Sequence, residues 1–87
     1  MSDLRDQFAQ AQIEVNQISS RPDNDTLLRL YALYKQSTEG DVKGDRPGGF
    51  DLVRMAKFDA WSKIKGTSVE TAMQQYVDLV ALLQRSR

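Results

Sequence analysis

The 87-residue sequence has no cysteine and no histidine. Without cysteine, neither a disulfide nor a thiolate metal site can reinforce so small a chain, and nothing points to an oxidising compartment. Without histidine, the usual general base near neutral pH, every Ser/His or Cys/His arrangement and most zinc sites are excluded. Net charge is also absent, since twelve basic residues balance twelve acidic ones. That argues against a protein that holds nucleic acid by neutralising phosphates. No apolar run reaches the length of a signal peptide or membrane span, and the opening MSDLRDQFAQAQ is polar and charged. A cytoplasmic protein without stable membrane insertion is expected. One domain over residues 1–87 fits the length, with a core small enough that elements must pack on near neighbours.

What charge there is lies unevenly. Residues 1–45 carry eight acids against five bases, whereas residues 46–65 carry Arg46, Arg54, Lys57, Lys63 and Lys65 against Asp51 and Asp59. A basic patch inside a neutral protein suits a small anionic ligand better than a long polyanion.

Hydrophobic periodicity places four helices. Leu4, Phe8, Ala11, Val15 and Ile18 form a stripe behind a cap at Ser2 or Asp3, ending near Ser19 where SSRPDND begins. Asn24 or Asp25 caps a second helix, apolar around most of its girth, that Gly40 ends. GDVKGDRPGGF, residues 40–50, is a long loop without the spacing or the terminal Lys-Ser/Thr of a P-loop. Asp51 caps a third helix to Lys65, with Leu52, Ala56, Ala60 and Ile64 inward and Gly66 closing it. A fourth begins at a Thr67–Glu70 capping box or at Ser68. It carries Val69, Met73, Tyr76, Val80 and Leu83 on its seam, with Arg85 and Arg87 at its negative end. No strand pattern appears, so the fold is an all-α four-helix bundle. The long loop between helices 2 and 3 lets those two point the same way, giving up-down-down-up.

Within LLRLYALYKQS, Tyr31 and Lys35 nearly eclipse each other on the helix and Tyr34 lies one turn away. A ring beside an ammonium suits a nucleotide, the ring for the base and the cation for the phosphate. The same stripe also describes tyrosines at the edge of a core with their hydroxyls in water. On helix 3, Arg54, Lys57 and Trp61 repeat the combination of cations and an aromatic.

Longer stretches are more specific. LYALYKQSTEGDV, then DRPG, then AKFDAWSKIKGTSVETAMQQY resemble, in order and spacing, the acyl-CoA-binding protein family. The resemblance implies a single up-down-down-up bundle that binds fatty acyl-CoA esters through the CoA moiety and an apolar groove, with no cofactor, metal or catalysis. Tyr31 resembles the aromatic that stacks on adenine. Tyr34, Lys35 and Lys57 resemble the 3′-phosphate contacts, Tyr76 the tyrosine that completes the pocket, and Arg21 stands where members often have lysine. Asn16, Val53 and Met55 replace lysines common in the family, which thins the outer basic rim. A monomeric carrier is implied, with acyl-CoA esters as partners, no nucleic acid, and transient contact with acyl-CoA-using enzymes.

Other readings are weaker. A helix-turn-helix reading of the last two helices fails because VETAMQQYVDLV has no basic residue. Asp23 and Asp25 open no calcium loop, since Leu27 and Leu28 fall where an oxygen ligand and a glycine are needed.

Overall fold

The computed structural model describes residues 3–85, which fold into α1 (Leu4–Val15), α2 (Asn24–Glu39), α3 (Leu52–Ser62) and α4 (Val69–Arg85). Among the described residues there is no strand. Each helix starts on a side-chain oxygen that takes one of the backbone N–H groups the first turn leaves unpaired. Asp3, Asp23 and Asp51 cap α1, α2 and α3, and the Ser68 hydroxyl accepts from the Thr71 N–H at 3.1 Å for α4. Ser2, the other expected cap of α1, and Arg87 lie outside the described residues.

Three expected boundaries move. α1 ends at Val15 rather than near Ser19, because Asn16 and Gln17 bond back three residues to Ile13 and Glu14 and the Asn16 amide donates to the Gln12 carbonyl. The cap of α2 is Asp23, not Asn24 or Asp25; its carboxylate accepts from the Thr26 N–H at 2.8 Å. α3 stops at Ser62, and a tighter turn through Lys65 reaches Gly66 at φ 93°, a conformation that favours glycine.

The helices pack in the spatial order α1, α4, α2, α3, so α4 and α2 are central and α3 touches α2 alone among the helices. The buried core is Phe8 and Ala11 from α1, Leu30 and Leu33 from α2, and Ala72, Tyr76 and Val80 from α4. Trp61, near the end of α3, reaches the end of α2, while the start of α3 lies along the start of α2, so these two helices run parallel. The end of α2 meets the start of α4 through the Gln36–Thr67 bond, so α4 runs the other way. Phe8, early in α1, reaches Tyr34, late in α2, completing up-down-down-up. As an edge helix α3 has no fully buried residue. The apolar face expected to be inward is half open, and Leu52 is exposed.

A polar knot fixes the two central helices to the long loop. Gln36 is buried, and its Nε2 donates to Asp41 and to the Thr67 carbonyl, both at 2.8 Å. Its Oε1 accepts from Trp61 Nε1 at 3.0 Å. Asp41 also accepts from the Gly66 N–H at 2.8 Å. The Gly66 N–H and then the Gln36 amide hold the Asp41 carboxyl below its ordinary 3.8. A carboxyl lowered in the folded state stabilises above its unfolded pKa, and that stability is lost as pH falls through the lower folded value. Asp23 and Asp59 are lowered as well, by Thr26 and by Arg46. Thermal midpoints followed by circular dichroism should therefore fall as pH drops below 3.8. Asp41→Ala should lower the midpoint at pH 7 and make that fall shallower; an unchanged pH profile would remove Asp41 from the knot's energetics.

Candidate functional site

Because α3 lies at the edge and parallel to α2, their seam stays open. A groove of about 420 Å³ runs there, lined by Leu27, Leu28 and Tyr31 of α2, Leu52, Val53, Ala56 and Lys57 of α3, and Arg21 and Asn24 before and at the start of α2. Its floor is aliphatic, while the Tyr31 ring and the cations Arg21 and Lys57 supply its polar functions. Arg21 is exposed and tethered to the Pro22 carbonyl and the Asn24 side chain, each at 3.4 Å.

From the groove onward the seam carries a ladder in which each rung joins a cation to a ring. Lys57 of α3 lies over the Tyr31 ring of α2, its Nζ 5.2 Å from the centroid, and one turn along, Lys35 of α2 lies 5.2 Å from the centre of the Trp61 ring of α3. The parallel helices advance together, so residues four apart on each meet in register. This differs from the pairing legible in the sequence, where Lys35 is the cation nearest Tyr31. The structure gives Tyr31 to Lys57 and ties Lys35 to Glu39 in an ion pair one turn on. That bond to Glu39 is the main reason the Lys35 ammonium is held above its usual pKa.

Tyr34 and Tyr76 come together on the α1 side. The Phe8 ring stacks on Tyr34 at 6.1 Å between centroids and meets Tyr76 edge-on at 5.0 Å. Tyr76 is buried, and burial, with a smaller contribution from Tyr34, raises its pKa. Among the described residues none accepts a hydrogen bond from the Tyr76 hydroxyl, and no buried side-chain oxygen lacks a partner, so this hydroxyl reaches solvent. Lys35 lies one helical turn after Tyr31 and next to Tyr34 in α2, between the groove and the tyrosine pair. Of the residues singled out in the sequence, Arg21, Tyr31 and Lys57 line one groove, Tyr34 and Tyr76 flank Phe8, and Lys35 lies on α2 between the two sets, near the Trp61 ring.

Glu39 escaped the sequence reading, and Phe8 entered it only as a member of the apolar stripe of α1. Glu39 had a signal, its i, i+4 spacing from Lys35; the spacing of Phe8 marked it as core but not its contacts with Tyr34 and Tyr76, which depend on how α1 crosses the other helices. Arg46, counted in the basic patch, is taken up by Asp59 in a two-pronged ion pair at 2.8 and 2.9 Å that holds the long loop on α3. No group of three or more acids that could hold a metal occurs among the described residues.

The family profile described as acyl CoA binding protein matches residues 5–80. A Drosophila melanogaster acyl-CoA-binding protein homolog is 44% identical over 77 residues, 88% of this chain and 90% of that protein. Enoyl-CoA delta isomerase 2 of Rattus norvegicus is 48% identical over 79 residues, but this chain spans only 20% of its length. Among solved structures, Oryza sativa acyl-CoA-binding protein 2 superposes with a TM-score of 0.91 at 36% identity, covering 95% of this chain and 92% of that one. The chain belongs to the acyl-CoA-binding protein family, and its all-α bundle is the fold of that rice relative.

Proposed function

We propose that this chain binds medium- to long-chain fatty acyl-CoA esters without covalent chemistry and serves as a cytoplasmic, monomeric carrier and reservoir for them, working as one unit over its 87 residues. The observation that carries the reading is the α2–α3 seam, which sets an aliphatic groove beside the Tyr31–Lys57 rung. The acyl chain lies against Leu27, Leu28, Leu52, Val53 and Ala56. Adenine stacks on Tyr31, taking the ring face from Lys57, whose ammonium moves to the 3′-phosphate. An exposed cation over a ring is held by only about 0.5 to 1 kcal/mol, so the exchange costs little. Lys35, Tyr34 and the Tyr76 hydroxyl complete the phosphate site, and Arg21 answers charge at the other end of the groove. Release to acyl-CoA-using enzymes takes place by transient contact.

Calorimetry with octanoyl-CoA, free CoA and octanoate tests the reading. The ester should bind far more tightly than either half alone; octanoate binding as well as the ester would make the groove a general fatty-acid site. Glu39 adds a second expectation. Its carboxylate holds the Lys35 ammonium that the phosphate needs. Exposed ion pairs are worth about 0.2 to 1 kcal/mol, so Glu39→Gln should tighten ester binding by up to roughly 5-fold. Dephospho-CoA esters should gain less; an equal gain for both would mean that Lys35 does not meet the 3′-phosphate.

A further inference from the structure

Phe50 is 101% exposed, and Leu52 and Val53, which follow the cap Asp51, are 72% and 64% exposed. A residue just before a helix cap ordinarily packs on the fourth residue of the helix, here Met55, and so steadies the entry of the chain. Phe50, fully exposed, does not make that contact. Packing therefore gives no reason for the ring. The three side chains form an apolar tip at the start of α3, and Leu52 and Val53 also line the groove, so the tip is continuous with its aliphatic floor.

Cations stand beside this tip. The Arg54 side chain is 72% exposed, Lys57 follows one turn along, and Arg21 shares the groove lining with Lys57. The intervening acid, Asp51, is already engaged: one oxygen accepts from the Arg54 N–H at 3.1 Å and the other lies 3.9 Å from Arg54 Nε.

We propose that the Phe50–Leu52–Val53 tip docks the chain on the surface of an anionic lipid bilayer, with the mouth of the groove facing the lipid. A protein partner would need on the order of 800 Å² of surface from each side, which three side chains on a turn do not provide. A bilayer interface needs only a few apolar side chains dipped among the headgroups, with basic residues attracted to anionic lipid behind them. The idea uses the acyl-groove reading only for the direction in which cargo passes, so the two stand or fall separately.

Co-sedimentation of the ligand-free chain at low salt with phosphatidylcholine vesicles, with and without phosphatidylserine, tests it. The wild type should bind the phosphatidylserine vesicles and be released by salt. Phe50→Ser should lower the bound-to-free ratio by roughly 10-fold, and Phe50→Trp should restore it. Ile13→Ser, at an exposed apolar position on α1, should leave it unchanged. Phe50→Ser should also leave octanoyl-CoA binding in solution unchanged, which separates loss of docking from loss of the groove. No binding to either vesicle, equal binding by Phe50→Ser and wild type, or loss with Ile13→Ser would overturn the proposal. So would self-association abolished by Phe50→Ser without vesicle binding, because the tip would then be a protein contact.

Discussion

Lengthening the acyl chain from four to eight carbons should tighten binding by up to about 3 kcal/mol, close to 150-fold, at about 0.8 kcal/mol for each methylene leaving water. The measured gain should be smaller, since the chain gives up rotamer freedom in the groove. Affinity should climb steadily with length and level off where the groove between Leu27 and Val53 ends. The structure gives a reason to expect this: α3 packs on α2 alone, so the aliphatic side chains between them remain open to a guest. Titrating C4 to C20 esters below their micelle concentrations checks it. Affinity independent of length would show that only the CoA head is held.

At the anionic end, Lys57→Ala should weaken ester binding by roughly 10- to 150-fold, the loss of one charge-assisted hydrogen bond of about 1.5 to 3 kcal/mol. Lys35→Ala should cost less. Lys57 gives up only the face of Tyr31 to meet phosphate, whereas Lys35 must first leave Glu39. Tyr31→Ala should lose about 1 to 3 kcal/mol of stacking, and Tyr31→Phe little of it. Equal losses for Phe and Ala would assign the binding to the hydroxyl. If Lys35→Ala proves worse than Lys57→Ala, the ion pair with Glu39 is not the competitor described above.

Local chemistry was legible in the sequence where one physical signal dominated. Asp51 starts α3 and Gly40 ends α2 as expected, because no neighbour competes for either role. Asp23-Asn24-Asp25 offers three caps in a row, and only the observed Thr26 contact selects Asp23. Ile18 keeps the apolar register of α1, yet the helix has already ended, because Asn16 turns its amide back on the chain. Periodicity marked one face of α3 as apolar. It could not say that no helix covers the far side, which is what opens the groove. Tyr31, Tyr34, Lys35 and Lys57 stood out by helical spacing, and Tyr76 and Arg21 were named from a resemblance, but their partners depend on the register of two parallel helices. That register moves the ring-facing cation from Lys35 to Lys57. Gln36 shows the same limit: its buried bonds reach residues up to 31 positions away, which no local pattern encodes.

Intermolecular nuclear Overhauser effects between the bound ligand and the protein test the central claim most directly. With octanoyl-CoA, the adenine protons should contact the Tyr31 ring, and the acyl methylenes should contact Leu27, Leu52 and Val53, which line this groove and neither of the two others. Two other grooves provide the contrast, one on the opposite face of the α2–α3 seam near Arg29, Lys63 and Ile64, the other between α1 and α4 near Gln10 and Val77. Contacts confined to either of these, with Tyr31 and Lys57 unperturbed, would contradict the account.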